Sequence, residues 1–243
     1  MKTCSSFEEL KRLCGQTLVS VKYRHLSVAR MCNVRLVKDE RCTVTQQHIP
    51  ADCQVLMPFP VKTRGDGSCF AHACSRLVYG QEFSHVELRC RLVIEGVCYH
   101  KHYKNRDEMS RGLPDDWRGC IIETYATLGG AYDHQNTRDD YPLVYNNDVF
   151  LYRLPGTQAG MWQVHAFVSI LECKLAVIYP WLAAHDSAYE GHLNQRRGYN
   201  HIIYPRMTQG LPEAVSNNCF GAIMWTYVNA DSRTPNHFMP IVP

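Results

Sequence analysis

Gly65-Asp66-Gly67-Ser68-Cys69-Phe70-Ala71-His72-Ala73-Cys74-Ser75-Arg76-Leu77-Val78-Tyr79-Gly80 is the stretch from which the rest of the chain can be read. Gly65 to Ser68 has the small, turn-forming residues of a loop. From Phe70 the apolar residues fall at 70, 73, 74, 77 and 78, one face of a three-turn helix, and Gly80 suits a left-handed C-cap. Cys69 therefore stands in the first turn of a buried helix, directly behind a glycine-containing loop. There the unpaired amides and the positive end of the helix dipole favour thiolate over thiol. The amides of Asp66, Gly67 and Ser68 can turn toward an oxyanion on an attacked carbonyl.

Working outward, residues 5–15 read as a short helix capped by Ser5 or Ser6, with Phe7, Leu10, Leu13 and Cys14 on one face. Residues 17–57 carry β-branched and apolar positions that predict strands, and Pro58 and Pro60 mark a stiff approach to the helix of Cys69. A second helix is predicted over 84–103, with Ser84 and Glu87 as a capping box and Val86, Cys90, Val93 and Val97 facing inward. A third is predicted near 115–128 and a fourth near 160–172, the fourth leading into a buried strand, Leu175–Tyr179. The end reads as a hairpin, with strands Ala222–Val228 and His237–Val242. Early helices and late strands predict an α+β or mixed α/β/α architecture. The expected division is an N-terminal extension, 1–60, packed on or contributing to a domain at 61–243.

With 243 residues, 45% hydrophobic and 20% charged, the chain has the composition of a folded protein with a sizeable core. The longest run without a polar or charged residue, Leu175 to Ala184, is too short to cross a bilayer, so no membrane association is expected. The polar start, with Glu8 and Glu9, lacks the apolar region of a secretory signal. Twelve cysteines contain no CxxC pair, which argues against zinc ribbons and thioredoxin-like motifs and points to reduced thiols in a cytoplasmic or nuclear setting. No Walker loop or dinucleotide fingerprint is present. Residues 1–64 hold 11 Lys/Arg against 5 Asp/Glu, a basic segment read first as a solvated face and second as a contact for an acidic partner or nucleic acid. Trp162, Trp181 and Trp225 read as core or rim aromatics, and Arg196-Arg197-Gly198 as a solvated turn.

Cys14, Cys74, Cys90, Cys98 and Cys120 fall on apolar faces and read as core thiols. A thiolate nucleophile needs a base. His100 and His102 with Cys98 point in different directions from a helix and do not make a metal site. His72 lies on the nucleophile's own helix and would have to reach back over the first turn. His237 begins the last strand, after Pro235-Asn236, and projects from a rigid element at the sheet's end.

These residues carry a resemblance. Asp66-Gly67-Ser68-Cys69-Phe70 resembles the D-G-x-C-[FL] signature of the ovarian-tumour (OTU) family of cysteine proteases. His237-Phe238, following the Met224-Trp225-Thr226 strand, resembles that family's second motif, and Trp162 heading a helix that enters the Leu175–Tyr179 strand is similar to its middle block. The resemblance covers the chain from about residue 60 to its end. Asp148 to Pro180 and Asn236-His237-Phe238-Met239-Pro240 most resemble the vertnin-like, transposon-associated branch, some of whose members lack the catalytic pattern and act in nuclear, DNA-linked contexts.

The resemblance implies a papain-like cysteine protease fold of OTU type, with helices around a central, mainly antiparallel sheet. It implies a deubiquitinase acting without metal or other cofactor on the isopeptide bond after ubiquitin's C-terminal glycine. Catalysis would fall to Cys69 as nucleophile, His237 as base and then acid, and Asp66, with Gly67 and Ser68 in the oxyanion loop. Ubiquitin or polyubiquitin is the expected partner and the protein the expected monomer; residues 105–160 and the basic N-terminal segment are where ubiquitin's globular part would dock. The chain departs from the family at Met239, which stands where many members place an Asn or Asp to orient the histidine. Asn229, Asp231, Asn236 and a residue of the N-terminal extension remain open as replacements. The rival expectation is an idle OTU-like module that binds ubiquitin or nucleic acid, and a third is a protease for another ubiquitin-like modifier.

Overall fold

The computed structural model describes residues 1–22, 59–110, 140–178, 201–206, 219–226 and 237–242. Among the described residues seven helices run in chain order: α1 (Phe7–Lys22), α2 (Cys69–Tyr79), α3 (His85–Cys98), α4 (His100–Tyr103), α5 (Arg106–Met109), α6 (Tyr141–Tyr152) and α7 (Met161–Leu171). Five strands, β1 (Phe59–Pro60), β2 (Lys174–Ile178), β3 (His201–Ile203), β4 (Cys219–Thr226) and β5 (His237–Val242), form one sheet in the order β1-β5-β4-β2-β3. Three of the four pairings are antiparallel and β2–β4 is parallel, so the sheet is mainly antiparallel and the fold mixed α+β. Among the described residues no helix is long and apolar enough to cross a membrane.

Strand alternation sorts the sheet's side chains onto two faces. Leu175, Val177, Ile203, Ile223 and Phe238 join the main core with the helices, while Ala176, Ile178, Ala222, Met224, Met239 and Ile241 form a second buried cluster. Phe70 of α2 meets both Phe238 of β5, at 4.9 Å between ring centroids, and Phe167 of α7, at 6.0 Å. These edge contacts seat the helix of Cys69 on the last strand. Pro60, which has no amide to donate, is tolerated because β1 is the sheet's edge.

Several expectations are corrected. Residues 17–22, read as strand, continue α1 to Lys22: Leu18 extends the face of Leu10 and Cys14 by one more turn and packs on the core, so tertiary burial overrides the β-propensity of the segment. The predicted 84–103 helix breaks at Tyr99 into α3 and α4. Its capping box does not form; Ser84 caps without a side-chain bond, and Glu87 instead takes Arg91 at 2.8 Å. Val86 is 60% exposed and Cys90 is exposed, because the buried arc of α3 runs through Leu88, Arg89, Leu92, Val93 and Val97. Cys98 is half-buried. Helix α6 and strand β3 were not foreseen. The strands expected over 23–57, the helix at 115–128, Cys120, Trp181 and Arg196-Arg197-Gly198 lie outside the described residues.

Several local readings hold. Ser6 caps α1, its hydroxyl accepting the Glu9 amide; Gly80 closes α2 in the left-handed region at φ 71°; Cys14, Cys74 and Trp162 are core residues. The fourth helix and the strand after it lie where the sequence puts them, at α7 and β2, and both terminal strands form.

Candidate active site

Ser68 is the N-cap of α2 and Cys69 its first residue, so the helix dipole points at the sulfur as the sequence requires. The thiol does not respond as expected. Cys69 is only 3% exposed, and burial pushes its pKa up; the Phe238 and Phe70 amides and the charge of Arg89 pull it down, Asp66 adds to the rise, and burial wins. Burial therefore opposes the thiolate that the helix dipole favours. The bond of Cys69 with the Phe238 amide places the sulfur against the residue that follows His237.

The loop before Cys69 is held from two sides. Asp66 Oδ1 accepts the Ser68 amide at 2.9 Å, and Asp66 Oδ2 lies 3.1 Å from His72 Nε2. Burial works to raise the Asp66 carboxyl, but the Ser68 amide and His72 together outweigh it and hold it below the ordinary carboxylate range. His72 is 1% exposed, stacks on His85 at 4.1 Å, and has Glu82 3.5 Å from its other ring nitrogen. Thus Asp66 faces His72 rather than His237, and the Ser68 amide is spent within the loop. The Cys69 amide, first of the helix, has no intrahelical carbonyl to bond and is the natural oxyanion donor.

Arg89 holds the other side. Its Nη1 donates to the carbonyls of Tyr152 (2.7 Å) and Leu154 (2.8 Å), and its Nη2 to Gly67 O (3.2 Å), Ser68 Oγ (3.2 Å) and Thr157 O (3.0 Å). The guanidinium also lies 4.2 Å over the Tyr152 ring. One buried cation thereby ties the nucleophile loop to residues 152–157. Beside it a groove of about 540 Å3, lined in part by Val86, Cys90, Val93 and Pro155, reaches Ser68.

His237 opens β5 and is 2% exposed. Its Nε2 is 2.9 Å from Thr63 Oγ1, and the same hydroxyl donates to Phe238 O at 2.6 Å. Met239 is fully buried in the second apolar cluster. Asn229, Asp231 and Asn236 lie outside the described residues. Among the described residues no group of three His, Cys, Asp or Glu stands close enough to hold a metal ion.

Three participants escaped the sequence reading. Arg89 sits on the buried arc of an amphipathic helix, where an arginine reads as solvent-facing. Thr63 is a single hydroxyl in an extended approach. Gly156, whose carbonyl oxygen would stand 2.2 Å from a Cβ placed on Gly67, belongs to a loop with no motif, although Leu154-Pro155-Gly156-Thr157 has the residues of a turn.

The profile of a protein family described as "Vertnin, OTU domain" matches residues 60–226. Vertnin of Mus musculus and of Homo sapiens are each 25% identical to the chain over 187 residues, covering 75% of it but 22% and 24% of the relatives. Vertnin of Danio rerio is 23% identical over 172 residues, covering 69% of the chain and 22% of that protein. The chain therefore spans about a quarter of the length of the relatives it matches. A solved structure titled "Structure of OTUD1 OTU domain" aligns with a TM-score of 0.39 and 13% identity, covering 76% of the chain and 86% of that structure.

Proposed function

The chain belongs to the family of vertnin OTU domains, and from that premise we propose that it is a cysteine-type deubiquitinase, cleaving the isopeptide bond after ubiquitin's C-terminal glycine. The observation that supports this reading best is the meeting of Cys69, first residue of α2, with the Phe238 amide next to His237. Because burial raises the Cys69 pKa, the reaction begins with a proton transfer. His237 takes the thiol proton as the sulfur attacks the glycine carbonyl. The oxyanion is met by the Cys69 amide, with Gly67 shaping the turn. His237 then protonates the departing lysine amine, and water, deprotonated by the same ring, releases the thioester. Asp66 serves by holding the loop through the Ser68 amide. The chemistry uses no metal or organic cofactor.

The 3% exposure of Cys69 favours a second reading, an OTU-like module without turnover that binds ubiquitin or nucleic acid. Incubation with ubiquitin carrying an electrophilic C-terminus separates the two. An adduct that forms with the native chain and fails with Cys69→Ala and His237→Ala supports the protease; di-ubiquitins then report linkage. An adduct only with another ubiquitin-like modifier moves the substrate. No adduct from folded protein sinks the protease reading, and salt-dependent DNA binding would then identify a nucleic-acid module.

A further inference from the structure

We infer that Thr63 is the positioning residue of the catalytic histidine, supplying through its hydroxyl the orientation that Met239 cannot. The inference rests on the protease reading for its catalytic meaning, but its structural content stands on proton counting.

The Thr63 hydroxyl carries one proton. At 2.6 Å its neighbour is the Phe238 carbonyl, which can only accept, so the proton is committed there. The second contact, 2.9 Å to His237 Nε2, must then be made by a proton on the ring, with the Thr63 oxygen accepting. A neutral imidazole protonated at Nε2 carries its lone pair at Nδ1. Thr63 thus selects the tautomer and fixes Nδ1 as the nitrogen that takes the Cys69 proton. When the ring becomes imidazolium, Nε2–H still donates to the same oxygen, so the bond persists through the proton transfer. Thr63 is 5% exposed and His237 2%, which leaves little room for water to compete.

The fold explains why this residue reaches the ring. Phe59 pairs with Val242 and Pro60 with Ile241, and the Val61 amide donates to Pro240 O at 2.9 Å. The same register carried onward sets Thr63 opposite Phe238. Three residues later the chain enters the Asp66 loop. One run of backbone therefore aims the base and then builds the turn of the nucleophile, whereas position 239 is given to the sheet's second apolar cluster.

The test compares native protein, Thr63→Val and Thr63→Ser. Valine keeps the shape and removes both hydrogen bonds; serine keeps the hydroxyl. With the ubiquitin electrophile, Thr63→Val should label roughly 10- to 100-fold more slowly and Thr63→Ser should return to within about threefold of native. Nitrogen-15 NMR of labelled histidines, with His237 assigned by its loss in His237→Gln, should show the Nε2–H tautomer in the native protein and a mixture in Thr63→Val. Native labelling by Thr63→Val, or an Nδ1–H tautomer in the native protein, overturns the inference. If no probe labels the native chain, the protease reading fails separately, and the tautomer still decides whether Thr63 orients His237.

Discussion

A Cβ placed on Gly67 would lie 2.2 Å from the carbonyl oxygen of Gly156, with two further Gly156 backbone atoms inside 3 Å. The nucleophile loop and the 154–157 turn therefore touch backbone to backbone, and each turns through positive φ, 77° at Gly67 and 80° at Gly156. Arg89 bridges the same two segments with four hydrogen bonds and adds a fifth to Tyr152 O. The turn ahead of Cys69 is thus shaped as much by a loop some 90 residues later as by its own sequence.

The two glycines are predicted to differ. Gly67→Ala meets both a left-handed backbone and a carbonyl it cannot displace cheaply, and should lose roughly 2–4 kcal/mol. At Gly156 the nearest atom to a new Cβ is 4.0 Å away, so Gly156→Ala carries only the conformational cost, about 1 kcal/mol. Thermal melting should rank Gly67→Ala well below Gly156→Ala, and only the former should also displace the loop and suppress labelling of Cys69. Equal melting temperatures would refute the close approach.

Arg89 is predicted to resist conservative replacement. A lysine supplies a point charge with three donors and cannot span acceptors on residues 67, 68, 152, 154 and 157. Arg89→Lys should cost roughly 2–4 kcal/mol in denaturant unfolding, because it strands carbonyls the guanidinium satisfied and leaves a buried charge poorly solvated. A loss under about 0.5 kcal/mol would mean the clamp is not formed in solution.

Why some of this was readable and some was not follows from range. The Cys69 helix announces itself because its apolar spacing, its turn and its Gly80 cap are all local. His237 is readable as a strand start for the same reason. Helix α6 was missed because Asn146-Asn147-Asp148 interrupts its apolar residues and looks like a loop; only the fold reveals that Asp148 is buried against Gln163. Thr63 was invisible because its role depends on β1 pairing with a strand 180 residues later. Cys69 misled in the opposite way: its helix position is legible and favours thiolate, but its burial is a tertiary property and reverses the outcome.

Asp148 gives a pH-dependent prediction. It is fully buried, burial pushes its carboxyl up to about 7, and the 2.6 Å bond from Gln163 Nε2 pulls it only part of the way back. An unfolded aspartate titrates near about 4, so between about 4 and 7 the folded state holds a proton that the unfolded state has lost. Stability should therefore fall as pH rises through this window and stay reduced above it, by on the order of a few kcal/mol from this group. Asp148→Asn, which keeps an acceptor for Gln163 and cannot ionise, should melt higher than native at pH 8, by less at pH 5, and nearly alike only below about pH 4. An unchanged difference across that range would show that Asp148 is not the titrating group.

The buried thiol sets the last expectation. Cys90 is exposed, whereas Cys69 is buried and its pKa is raised by that burial. Iodoacetamide carries no docking surface, so its reaction reports exposure and thiolate fraction alone. At pH 7.5, peptide mass spectrometry should find Cys69 alkylated more slowly than Cys90 by roughly 10- to 100-fold, with the Cys69 rate still climbing above pH 9. His237→Ala should leave this slow rate nearly unchanged while abolishing reaction with the ubiquitin electrophile, because the histidine is needed only once a bound carbonyl draws the sulfur forward. Rapid alkylation of Cys69 at neutral pH would instead mean that the helix dipole overcomes burial, that a thiolate is already formed, and that His237 acts chiefly as the acid for the leaving amine.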